Sequence, residues 1–181
     1  MENWCYERKT LLSMARHYES SAALPTQWYE QLLKRRSFRA GSFLLRQLTL
    51  SLTDLALHST FDPDQDDGDV NEVLKTVSAK TALMPPLPEN QFLCSFAHIF
   101  AGPYAAGYFS YKWAEVLSAD AFGAFEESGL DDAKTLRTVG QSYRNTILAD
   151  GGGRHPMDVF VSFRGRSPST KALLKQYGLA T

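Results

Sequence analysis

FLLRQLTLSLTDLALH, residues 43–58, is the stretch that decides how this chain folds. Phe43, Leu44, Leu48, Leu52, Leu55 and Ala56 recur mainly at helical spacing, which marks one face of a long helix. The segment follows Gly41 and Ser42, ends near His58, and is apolar enough to predict a mostly buried helix. Upstream, Trp4, Leu11, Leu12, Ala15 and Tyr18 share a face over about residues 2–20. Pro25 breaks the pattern, and Thr26 is the expected N-cap of a helix to about Arg36 with Trp28, Leu32 and Leu33 inward. Downstream, the acidic run DPDQDDGD at 62–69 reads as an exposed loop whose Asp69 caps a helix over 70–83, with Val73, Leu74 and Val77 inward. Its offsets fit an EF-hand calcium loop only superficially. MPPLP at 84–88 cannot be regular helix, and the apolar run 92–100 is either a strand or an extended loop. Helices are expected over about 104–127, 131–148, 157–163 and 169–177, with stops at Ser128-Gly129, Gly151–Gly153 and Gly178. The sum is a single all-α domain over 1–181, with little or no strand.

The composition excludes several roles. A formal charge of −1 does not suit a dedicated nucleic-acid binder, and Lys34, Arg35, Arg36 and Arg39 read as a solvated helix face. No segment approaches the roughly 20 apolar residues of a membrane span. Residues 1–16 mix charges into their apolar positions, unlike a secretory leader. Cys5 and Cys94 sit among apolar neighbours and are expected as buried thiols in a reducing compartment, the cytosol or an organelle matrix.

Familiar catalytic patterns are missing. His17, His58, His98 and His155 lie far apart, so there is no H-E-x-x-H pair; nor is there a C-x-x-C or a G-x-S-x-G elbow. The sequence therefore offers no metal ligands and no cofactor of its own. Glu126-Glu127 and Asp131-Asp132 flank a helix break and read as solvated caps. The unusual stretch is HIFAGPYAAGYFSYKW at 98–113, where a histidine and several aromatic rings surround a Gly102-Pro103 turn. Tyr104, Tyr108 and Tyr111 fall at i, i+4 and i+7, with small residues between them. Two readings remain open: core tyrosines whose hydroxyls reach the surface, or a cleft that holds an oxyanion or a peptide backbone.

Residues 98–122, HIFAGPYAAGYFSYKWAEVLSADAF, closely resemble a segment of the M3 zinc oligopeptidases. MENWCYE at 1–7, LRQL at 45–48, DLALH at 54–58 and FRGRSPSTKALLKQYGL at 163–179 agree in the same order, so the resemblance spans nearly the whole chain. It implies the C-terminal half of a mostly helical, zincin-type domain that cuts short peptides. Under it, Tyr108 and Tyr111 stabilise the charge developing on the scissile carbonyl. His98, Gly102 and Tyr104 bind the substrate backbone from a mobile turn. The family has a second glycine where Pro103 stands, and proline stiffens that turn and removes a backbone donor. The resemblance also places the zinc ligands and catalytic glutamate ahead of Met1, so the chain alone is expected to be inactive, with zinc only in a complete family member. It would be a piece of a longer or split peptidase acting on short peptides. The alternatives are a metal-free subunit of a larger assembly, or a helical protein using its aromatic face for an unrelated partner. Apolar surface left bare by the missing half predicts a protein partner or self-association.

Overall fold

A computed structural model describes residues 2–65 and 68–180. They form an all-α chain: among the described residues there is no strand, and the antiparallel bridge between Arg16 and Ala23 stands isolated. The α-helices are α1 (Arg8–Met14), α2 (Thr26–Ser37), α3 (Ala40–Ser59), α4 (Val70–Thr81), α5 (Ala97–Phe100), α6 (Ser110–Ser128), α7 (Ala133–Tyr143), α8 (Pro156–Arg164) and α9 (Lys171–Gln176). They belong to two compact units, Arg39–Trp113 and Met1–Phe38 with Ala114–Thr181.

In the unit Arg39–Trp113, α3 packs on α4. Leu50, Leu74, Leu93, Phe96 and Ile99 form its core, with Leu57, Val70, Phe92 and Tyr108 against it. The buried side of α3 differs from the expected one. Thr49, Ser51, Thr53 and Asp54 point inward beside Leu50, while Phe43, Leu48 and Leu52 are exposed. Polar groups can sit inside when hydrogen-bonded, and of these four side chains only the Thr53 hydroxyl lacks a partner among the described residues. Thr49 and Thr81 share a hydrogen bond of 2.7 Å between their hydroxyls, and Ser51 donates to the Gln47 carbonyl. Asp69 caps α4 by accepting from the Asn71 N–H at 2.8 Å, worth about 1 kcal/mol. Of the acidic run, Asp66 and Asp67 lie outside the described residues. The apolar run 92–100 is neither strand nor extended loop: it is a 3₁₀ turn, Phe92–Ser95, followed by α5. Leu93, Phe96 and Ile99 recur every third residue and so enter the core together.

In the other unit, the helix expected over 2–20 is broken. A 3₁₀ turn, Glu2–Tyr6, comes first, and the Glu7 carboxylate then accepts from the Lys9 and Thr10 N–H groups to start α1. The chain leaves α1 at Ala15 and doubles back through the Arg16–Ala23 bridge, with Ser21 left-handed. Pro25, not Thr26, is the N-cap of α2. The α2 face also differs from expectation: Tyr29 is buried, its hydroxyl donating to the Tyr6 carbonyl, while Trp28, Leu32 and Leu33 face outward. Trp4 packs edge-on against Phe122 and Phe125, and Val116, Ala119 and Leu173 form a small buried cluster. A π-helical turn, Arg144–Leu148, extends α7.

The segment 163–169 is held to α6 by charge. Asp120, 1% exposed, accepts from Arg164, from both terminal nitrogens of Arg166 and from the Ser169 N–H. Arg164 also grips Glu127 with two hydrogen bonds, at 2.9 and 2.7 Å, so Glu127 is an ion-pair partner as well as a residue near the helix end. Cys5 and Cys94 are free thiols, but both are exposed where burial was expected.

Candidate functional site

The aromatic stretch is built within Arg39–Trp113. His98 lies on α5, which ends at Phe100, and the chain then turns through Gly102-Pro103. Only glycine fits at 102 without a shift, since an added Cβ would stand 2.8 Å from the His98 carbonyl oxygen. α6 starts at Ser110, not near Tyr104, so Tyr104 and Tyr108 sit on irregular backbone and the tyrosines are not a helical column.

They nevertheless converge. The Tyr111 ring lies 4.9 Å from that of Tyr104 and 5.2 Å from that of Tyr108. The His98 ring lies 6.1 Å from Tyr104 and 6.0 Å, edge-on, from Tyr108. Buried Phe96 packs edge-on under Tyr108 at 5.1 Å. Tyr108 anchors the group to the core, while His98 and Tyr111 are exposed. The Tyr111 hydroxyl is pushed above the usual phenol range, first by its hydrogen bond with Tyr104 and then by burial. A hydrogen bond that raises a phenol in this way stabilises its neutral form, so the Tyr111 O–H is held toward Tyr104.

Three residues that the sequence reading did not single out hold this arrangement. Asp54, wholly buried on α3, accepts the Ala106 N–H on one carboxylate oxygen and the Tyr108 N–H on the other, each at 2.9 Å. His58, one turn along α3, places Nδ1 2.9 Å from the Asp54 main-chain carbonyl oxygen and 3.0 Å from the first of those carboxylate oxygens, and its ring lies 6.2 Å from that of Phe100. Ala106, between them in the turn, is left-handed at φ 55°. A lone acid inside an apolar helix, with histidine four residues on, was the available signal.

The family model for peptidase family M3 matches residues 1–179. The chain belongs to peptidase family M3. Over 179 residues it is 59% identical to organellar oligopeptidase A of Arabidopsis thaliana, covering 99% of this chain and 22% of that protein. It is 44% identical to oligopeptidase A of Escherichia coli, covering 99% and 26%, and 29% identical to the dipeptidyl carboxypeptidase of the same bacterium, covering 98% and 26%. The chain thus spans about a quarter of the length of these relatives.

The zinc implied by the family resemblance finds no donor set here. Among the described residues no group of three or more His, Cys, Asp or Glu side chains is arranged to hold a metal ion. The Nδ1 atoms of His17 and His155 accept from nearby backbone N–H groups, and that of His58 is engaged with Asp54. These residues do not fit the metal. No helix among the described residues is long and apolar enough to cross a membrane.

Proposed function

We propose that this chain supplies the carbonyl-facing wall of an M3 oligopeptidase site, acting on short peptides only when other residues deliver the nucleophile. Tyr108 and Tyr111 donate hydrogen bonds to the scissile carbonyl oxygen as it gains negative charge. His98, Gly102 and Tyr104 hold the peptide backbone beside it. The observation that carries this reading is the meeting of the His98, Tyr104, Tyr108 and Tyr111 rings in one connected patch. The wall alone generates no nucleophile, so the 181-residue chain does not hydrolyse peptides by itself. The relatives named as chloroplastic or mitochondrial and as cytosolic support an organelle matrix or the cytosol as its compartment.

The test is cleavage of a quenched fluorescent peptide by the chain alone and by the chain mixed with the H-E-x-x-H-bearing remainder of a related oligopeptidase. Cleavage is expected only in the mixture. There, Tyr111→Phe is expected to lower kcat by roughly 10²–10³ with KM little changed, as for loss of one oxyanion donor. Equal losses in both parameters, or none, would remove the carbonyl contact. No rescue on mixing, with the chain bound to a large metal-free assembly, would favour a structural subunit.

A further inference from the structure

The buried carboxylate of Asp54 has no part in the chemistry proposed above, yet both of its oxygens are committed to the turn that carries the tyrosines. In a helix running through this segment, the Ala106 and Tyr108 N–H groups would point to the carbonyls of Gly102 and Tyr104. Here they converge on one carboxylate, at 2.9 Å each. The carbonyls of the turn are engaged in turn. Tyr104 accepts from the Gly107 N–H at 2.8 Å, Gly107 from Ser110 at 3.0 Å, and Tyr108 from Tyr111 at 3.3 Å. The line of contacts therefore runs from Asp54 through the Tyr108 peptide to Tyr111, the first-turn tyrosine of α6. On its other side Asp54 meets His58, whose ring lies against Phe100 at the end of the helix that carries His98.

A non-glycine residue held left-handed needs such restraint. Ala106, at φ 55°, lacks the side-chain acceptor with which asparagine or aspartate eases that conformation. Two hydrogen bonds to a charged acceptor on either side of it supply the compensation.

We infer that Asp54, backed by His58, is a positioning residue for the aromatic site: it converts a strained turn into a fixed mount for Tyr104, Tyr108, Tyr111 and His98. Its relevance to peptide hydrolysis rests on the function proposed above; the clamp itself does not.

Site-resolved amide hydrogen exchange and near-ultraviolet circular dichroism of the full 181-residue chain test it. In the unsubstituted chain the Ala106 and Tyr108 amides are expected to exchange as slowly as those of Leu50 and Leu74 in the core helices, although they lie in a turn. Asp54→Asn keeps the shape but turns one acceptor into a donor facing an N–H. It is expected to speed exchange at Ala106 and Tyr108 by roughly tenfold or more and to weaken the tyrosine dichroism. Leu50 and Leu74 should keep their protection. A uniform rise at all these positions would mean a general stabilising role and overturn the inference. So would fast exchange at Ala106 and Tyr108 before any substitution, a result that stands even if the variant fails to fold. Neither readout involves turnover. Success here combined with an inert Tyr111→Phe would keep the clamp and discard the carbonyl contact.

Discussion

Gly102 has less room than any other glycine of the aromatic turn. A methyl group there would meet backbone, the His98 carbonyl oxygen at 2.8 Å and its carbon at 3.4 Å, and backbone cannot swing aside as a long side chain can. Gly102→Ala is therefore expected to cost about 1–3 kcal/mol and to displace α5 from the tyrosines. A lower midpoint in chemical denaturation, with a changed near-ultraviolet spectrum, would bear this out; an unchanged spectrum would show that the turn yields elsewhere. At this scale the site was partly legible. His98, Tyr104, Tyr108 and Tyr111 could be chosen because one short stretch concentrates rings around a turn. Asp54 could not, because its partners are N–H groups 52 and 54 residues away, which no local spacing reveals. Cys5 and Cys94 were misplaced because apolar neighbours in sequence do not by themselves bury a side chain.

Among the elements, the tie between α6 and the segment 163–169 has the clearest energetic consequence. Burial pushes the Asp120 carboxyl upward, but the Arg166 hydrogen bonds, the Ser169 N–H and the nearby Arg164 outweigh it and hold the group below the usual carboxylate range. Hydrogen bonds from Arg164 do the same for Glu127, with burial opposing. A carboxylate depressed in the folded state binds fewer protons there than in the unfolded chain. Its stabilisation is complete above the unfolded value, about 4, and is lost as pH falls through the folded one. The melting temperature should thus drop on acidification below about pH 4, and Asp120→Ala should flatten that drop. At neutral pH the same substitution should cost roughly 3 kcal/mol, the low end for breaking a buried pair, because Arg166 is half-exposed and Arg164 keeps Glu127. A neutral-pH loss with an unchanged acid limb would refute the charge argument. The helices themselves were legible where periodicity is long, as in α3 and α4. The reading failed where a side chain diverts backbone groups: Glu7 restarts the helix at the beginning of the chain, and Asp54 removes two N–H groups that would have begun α6 earlier.

Across the whole molecule, the sequence pattern was right about helices and less reliable about what covers them. Periodicity finds the apolar face of α2, yet Trp28 is 53% exposed and Leu32 and Leu33 face outward; on α3, Phe43 is 67% exposed, with Leu48 and Leu52 also open. The same chain corresponds to about a quarter of its relatives' length. Covering one Leu or Phe yields about 1.5–3 kcal/mol, while association costs about 4–15 kcal/mol in lost freedom. One such residue cannot hold a partner, whereas several covered together can. In dilute buffer the isolated chain is therefore expected to self-associate, or to bind the complementary part of an M3 peptidase when that is supplied. Sedimentation velocity over a hundredfold concentration range should show an apparent mass rising above the monomer. Leu32→Glu, on an exposed face of α2, should shift that rise to higher concentration if α2 takes part. A strictly monomeric species at every concentration, without dye binding to apolar surface and without affinity for the complementary part, would mean that these side chains need no cover.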